Sequence, residues 1–145
     1  MKTVGEILKG RDVRHVAANH TVLEVASYMT RYNIGAVAVV QNGRLVGLFS
    51  ERDLVQRVIA AGKDPRGTKV SEVMTTDLVV AQANENFRAC IERMVAAKVR
   101  HLPVVSGEHF VGMVAIMELL QEEVRDLDLE VQMLTDYVYH IAPQR

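Results

Sequence analysis

Apolar positions recur at spacings of three and four in some stretches and in short unbroken runs in others, and the whole arrangement occurs twice. Laid against itself at an offset of 65 residues, the sequence aligns Met29 with Met94, Val39-Val40 with Val104-Val105, Val46-Gly47 with Val111-Gly112, and Leu54 with Leu119, without a gap. Conservative pairs keep the register: Ile34 with Val99, Val37 with Leu102, Leu45 with Phe110, Asp53 with Glu118. Upstream the register slips by one, so that Val4-Gly5-Glu6-Ile7-Leu8 meets Val70-Ser71-Glu72-Val73-Met74. The chain is an internal duplication.

Each copy predicts the same elements in the same order. A short helix ends near Leu8 or Met74, and a brief strand follows at 13–16 or 78–80. Val22, Val25, Ala26 and Met29, like Phe87, Cys90, Ile91 and Met94, then form one apolar face of a longer helix. A hairpin comes next. Its strands at 36–40 and 44–49 flank Asn42-Gly43, a strong two-residue turn signal, and the second copy turns through Ser106-Gly107-Glu108. The outgoing strand runs into a second helix, about 51–61 in the first copy and from Ile116 onward in the second. Gly62-Lys63-Asp64-Pro65-Arg66-Gly67 breaks helix and joins the copies.

A unit of this size, with a small sheet and helices on one side, leaves the other sheet face bare. Two copies cover each other, and strands such as Val37-Ala38-Val39-Val40 and Leu102-Pro103-Val104-Val105 are apolar on both faces, as that packing demands. The expected fold class is α/β (α+β): two pseudo-twofold-related repeats, each a small sheet with helices on one side, plus a long C-terminal helix. The first repeat spans 1–62, the second 63–120 and the helical extension 121–145. Two related clefts should lie between the repeats.

Composition narrows the partners. Lys plus Arg is 17 and Asp plus Glu is 18, a formal net charge of -1 that gives no reason to expect nucleic acid as the main partner. No signal-peptide pattern and no apolar run of membrane-spanning length is present, so we expect a cytoplasmic protein with no membrane partner. The single cysteine, Cys90, excludes an internal disulfide framework and falls on the apolar face of a helix. His15, His20, His109 and His140 lack ligand spacing, so no metal is assigned. No nucleophile elbow, P-loop or dinucleotide fingerprint occurs, so no catalytic residue is assigned and no enzyme is expected.

The run Gly47-Leu48-Phe49-Ser50-Glu51-Arg52-Asp53-Leu54 carries the candidate chemistry. A strand ends there and a helix begins, with Ser50 at the N-cap and Asp53 three residues on. One reading is an ordinary capping box. The other is a ligand contact: the helix start attracts an anion, Ser50 donates to a phosphate oxygen, and Asp53 accepts from ribose hydroxyls.

In these residues the chain resembles the tandem cystathionine β-synthase (CBS) domain pair, or Bateman module. The resemblance covers residues 3 to 120 and rests on Val73-Met74-Thr75, on Arg100-His101-Leu102-Pro103-Val104-Val105 and on the run from Gly47 to Leu54, all in register within the duplication. It implies a regulatory module binding an adenosine-containing ligand such as AMP, ADP, ATP, NAD(H) or S-adenosylmethionine, with no catalytic cofactor and an unidentified regulated protein. Carried over onto this sequence, it implies a main site at Val13, Ile34, Gly35, Ala36, Ser50, Arg52, Asp53, Arg100 and His101, with Arg100 and His101 on the phosphates. Leu78, Val99 and Glu118 belong to a weaker second cleft, because Ala115 lacks the hydroxyl of Ser50 and Glu118 replaces the aspartate. Some enzymes, IMP dehydrogenases among them, carry this module as an insert. Here little besides the module is present, so the expectation is a freestanding regulator or a subunit.

Beyond the second repeat, Leu120, Val124, Leu127, Val131, Leu134, Val138 and Ile141 alternate four and three apart, a heptad seam flanked by Glu122, Glu123, Arg125, Asp126, Asp128 and Glu130 and unbroken before Pro143. Either this helix folds back on its own module or it forms a homodimer seam. The homodimer is the expectation.

Overall fold

Local chemistry starts and stops the elements in parallel ways in both repeats. The computed structural model describes residues 2–141 of the 145, with side chains to residue 138. Helix α1 (Val4–Leu8) begins under Thr3, whose hydroxyl accepts from the Glu6 amide at 3.1 Å. Strand β1 (His15–Ala17) leads to α2 (Val22–Tyr32), which opens with a reciprocal Thr21/Glu24 capping box and closes at Asn33 in the left-handed conformation. In the second repeat β4 (Ala81–Gln82) leads to α4 (Phe87–Ala97), closed by left-handed Lys98, the counterpart of Asn33 at the same offset of 65.

The hairpins are β2 (Ala36–Gln41) with β3 (Arg44–Ser50), and β5 (His101–Ser106) with β6 (His109–Ala115). Asn42 and Gly43 both take positive φ, the twist a tight hairpin needs. Each hairpin carries a register shift at the matching place, Val39/Val40 and Val104/Val105. The strand order β1-β2-β3-β6-β5-β4 is its own mirror in repeat terms. The halves meet at the hairpin tips, where Arg44 pairs with His109 and the Phe110 amide donates to the Gly43 carbonyl at 2.9 Å.

Both faces of the inner strands are covered, as their apolar runs require. On the helix side, one core gathers Val22, Val25, Val37, Val39 and Phe49, and the other Phe87, Met94, Leu102, Val104 and Val114. Between the repeats Ala38, Val40 and Phe110 pack with Leu45 and Met113. The cores exchange their opening segments. Val4 lies in the second repeat's core, with the Gly5 amide on the Ala83 carbonyl, whereas Val70 and Val73 lie in the first repeat's core, with the Val70 amide on the His20 carbonyl. The boundary read at 62–63 therefore separates repeats in sequence, not units of packing.

Three local details differ from the sequence expectation. The segment before Met74 is a 3-10 turn at Val70–Glu72, and the edge strands lie two or three residues later than expected, where they pair in parallel with β2 and β5. The helix at 51–61 is one α turn, α3 (Glu51–Asp53), followed by a π turn (Leu54–Ile59), in which the Ala60 amide reaches the Val55 carbonyl at 2.8 Å. Val55, Val58 and Ile59 are β-branched and disfavour regular helix. Helix α5 (Ile116–Ile141) is the long C-terminal helix; the side chains of His140 and Ile141, and Pro143 itself, lie outside the described set.

Candidate functional site

The site begins where β3 gives way to α3. Ser50 has extended backbone, its hydroxyl accepts from the Asp53 amide at 3.1 Å, and the Asp53 carboxylate accepts from the Ser50 amide at 3.0 Å and hydroxyl at 3.1 Å. Asp53 is 7% exposed, so every bond it makes is made away from bulk water. Thr75 donates to it at 3.2 Å, and Arg57 stands 3.5 Å from Oδ1. Both Ser50 donors fall on Oδ2, while the Thr75 hydroxyl and the Arg57 guanidinium stand nearest Oδ1. The capping box is thus present, and it aims a carboxylate and a helix start into open space.

That space is a cleft of about 570 Å³ whose walls come from both repeats. From the first come Gly35, Leu48, Ser50, Glu51, Arg52 and Asp53; from the second come Thr75, Asp77, Leu78, Val79, Lys98, Val99, Arg100, His101 and Pro103. Three cations and three carboxylates line it, so local placement, not bulk charge, decides what it attracts. Burial holds the His101 imidazole below its ordinary pKa, and neighbouring Arg100 adds to the effect. The free cleft therefore presents a neutral imidazole beside a guanidinium at neutral pH.

The pseudo-related cleft is only about 150 Å³ and is lined by Leu8, Arg11, Asp12, Arg14, Ile34, Ala36, Val111, Gly112 and Met113. Glu118 repeats half the capping box, accepting from the Ala115 amide at 3.0 Å, and its other oxygen is ion-paired with Arg11. No hydroxyl stands at Ala115 to complete the box.

Relative to the sequence expectation the clefts trade members. Ser50, Arg52, Asp53, Gly35, Arg100 and His101 line one cleft, but Leu78 and Val99, assigned to the weaker cleft, line that same cleft, while Ile34 and Ala36 line the small one. Val13 is half exposed and lines neither, and Glu118 stays on the side of the small cleft through Arg11. The cause is the pseudo-twofold packing, which sets each repeat's helix start against the other repeat's strand entry. Thr75, Asp77 and Lys98 were missed. Thr75 had a signal, since it closes the Val73-Met74-Thr75 motif, while Lys98 is a helix end by conformation and nothing local marks it as facing a cleft.

Fold and site together define a duplicated α/β module whose repeats enclose two unequal clefts. The chain belongs to the CBS domain family, whose model matches residues 4–60 and again 70–125. It is similar to the CBS domain-containing protein YhcV of Bacillus subtilis, 39% identical over 107 residues, covering 74% of this chain and 76% of that protein. Among solved structures, Hypoxic Response Protein I with two coordinated zinc ions is 28% identical, with a TM-score of 0.74 over 84% of this chain and 99% of that one. Among the described residues here, no three His, Cys, Asp or Glu side chains cluster to hold a metal. The CBS domain pair of protein MJ0100, in complex with 5'-methylthioadenosine and S-adenosyl-L-methionine, has a TM-score of 0.76 over 87% of this chain and 98% of that one; at 22% identity it shows a shared fold. No described helix is long and apolar enough to cross a membrane.

Proposed function

We propose that this chain is a non-catalytic, cytoplasmic regulatory module that reports energy or redox state by binding an adenosine-containing ligand of the AMP, ADP, ATP, NAD(H) or S-adenosylmethionine class. The observation that carries the reading is the convergence in one cleft of a buried helix-start carboxylate, an apolar slot and a pair of basic groups. Asp53 suits the ribose diol, Leu78, Val79, Val99 and Pro103 suit an adenine ring, and Arg100 with His101 suits phosphate or another anionic group. At about 570 Å³ the cleft has the size of a small-molecule site. The adenosine compounds bound by MJ0100's CBS pair, which shares the fold, support the same class. In this reading the chain works as a homodimer and passes its state to a regulated protein.

A thermal-shift screen with AMP, ATP, NAD, NADH and S-adenosylmethionine tests it. A ligand at a hundred times its dissociation constant stabilises the fold by about 2.7 kcal/mol, an easily measured shift. No shift with any of the five would leave the rival reading, a structural or oligomerisation module with vestigial clefts.

A further inference from the structure

Helix α5 is engaged with the module over its first turns, and from Leu127 on every described residue is exposed, Leu129, Met133 and Tyr137 as well as the seam. Leu119 is fully buried against the second repeat, Glu122 is held by Lys2 and Arg125, and Arg88 of α4 reaches toward Glu123, Asp126 and Glu130 at 3.7 to 3.9 Å. The seam points elsewhere. Leu120, Val124, Leu127, Val131, Leu134 and Val138 are 37% to 64% exposed, so the helix does not fold its apolar stripe back onto its own module.

The order of residue types along that stripe says what covers it. Written as heptads, the positions at 124, 131 and 138 are all valine and those at 120, 127 and 134 are all leucine. β-branched residues at the first core position with leucine at the fourth are the combination that selects two parallel strands, where like positions stack on like. The strict 3.5-residue period also requires a partner of the same period, and a second copy supplies one.

We propose that α5 pairs with α5 of a second copy as a parallel, in-register two-stranded coiled coil along Leu120, Val124, Leu127, Val131, Leu134 and Val138. Parallel alignment brings Glu123 near Asp128 of the second copy, a like-charge pair, so the dimer tightens as salt rises. An antiparallel pair would also juxtapose acidic flanks, so charge does not choose between the two, and the valine and leucine alternation does.

Two variants test this in the full chain. Leu127→Glu with Leu134→Glu alters only exposed side chains, so a cooperative unfolding transition should be kept and should lose its dependence on protein concentration, while sedimentation equilibrium should show dimerisation weakened by about a hundredfold or more. Leu134→Cys should form an interchain disulfide under mild oxidation, with the wild-type protein as control, since its one cysteine, Cys90, is buried. In a centred antiparallel pair the two Cys at 134 would sit roughly 15 Å apart along the axis, beyond disulfide reach. Unchanged dimerisation of the double variant, a trimeric or tetrameric mass, or a Leu134→Cys dimer that refuses to crosslink would each overturn the proposal.

Discussion

Met74 lies directly over the α-carbon of Gly47, so closely that a β-carbon there would sit 2.8 Å from its Cγ and 3.1 Å from its Cε, with the sulfur nearer still. The same relationship recurs across the pseudo-twofold, where Leu8 covers Gly112. In each half, a glycine on the last strand receives a side chain from the exchanged opening segment. The contact matters to the site because Thr75, the next residue, exchanges backbone hydrogen bonds with Leu48 at 2.8 and 2.9 Å and thereby delivers its hydroxyl to Asp53.

Gly47→Ala should therefore destabilise the fold by about 1 to 3 kcal/mol through overpacking. Shortening the neighbour should relieve it. In urea denaturation, Gly47→Ala combined with Met74→Ala should lose clearly less than the sum of the two single changes, since residues in contact couple. Strict additivity would mean the two do not press on each other.

Asp53 serves the fold and the cleft at once, and two substitutions separate the roles. Asp53→Ala removes the acceptor for the Ser50 amide and the Thr75 hydroxyl, which should cost about 1 to 3 kcal/mol of stability. It should also weaken an adenosine ligand by about tenfold or more, the worth of a hydrogen bond to a charged group. Asp53→Asn keeps an oxygen for the cap and should recover much of the stability without recovering the affinity. If both variants bind by calorimetry as the wild type does, Asp53 is a cap and nothing more.

The legible part of this fold was whatever is encoded within one repeat. The offset of 65, the Asn42-Gly43 turn, the apolar faces of α2 and α4, and the Ser50/Asp53 helix start are all local patterns that need no knowledge of the rest of the chain. The exchange of α1 with residues 68–75 was not legible for a definite reason. Both repeats carry the same apolar pattern, so Val4 fits either core and Val70 fits either core, and the pattern reads identically whether or not they cross. The same degeneracy misplaced Ile34 and Ala36, which have Val99 and His101 as counterparts at the same offset. The π turn at Leu54–Ile59 was hidden because its side-chain spacing is too short to distinguish from a regular helix.

His101 makes stability depend on pH below its ordinary pKa of 6.5. Its pKa is lowered in the folded chain by burial and by Arg100, against an ordinary value of 6.5, so between those two values the unfolded chain binds a proton that the folded chain does not. Stability is then fully present above about 6.5 and falls as the pH drops toward the folded value. The lowered carboxylates Glu24, Glu85 and Glu122 add their own loss as the pH approaches 4.5 and passes below it, at the acid end of the range. Urea midpoints measured from pH 7.5 down to pH 5 should decline for the wild type and stay flatter for His101→Gln. Parallel curves would remove His101 as the cause.

Arg100 is exposed at the cleft's strand entry, where its fixed charge suits a phosphate and not a base. Arg100→Ala should therefore weaken AMP by about tenfold, a charge-assisted hydrogen bond, while adenosine changes little. Equal losses for the two ligands would move Arg100 off the phosphate.

The two clefts should not be equally occupied, because the features that open one are reversed in the other. The larger has the Ser50 hydroxyl, Arg100 and His101; on the side of the smaller, Ala115 stands in place of Ser50, Ala36 in place of His101, and Glu118 is already paired with Arg11. Leu8 packs over Gly112 in the small cleft, and Arg11, one of its lining residues, is held by Glu118; the space left is about 150 Å³, well below the size of a nucleoside site. Titration calorimetry should accordingly find one ligand per chain. Glu118→Ala opens a half-exposed ion pair of small energetic worth and should leave that affinity within about threefold of wild type, whereas Asp53→Ala should not. Two ligands per chain, or equal losses from Glu118→Ala and Asp53→Ala, would show that the clefts share the work and that the asymmetry is only one of shape.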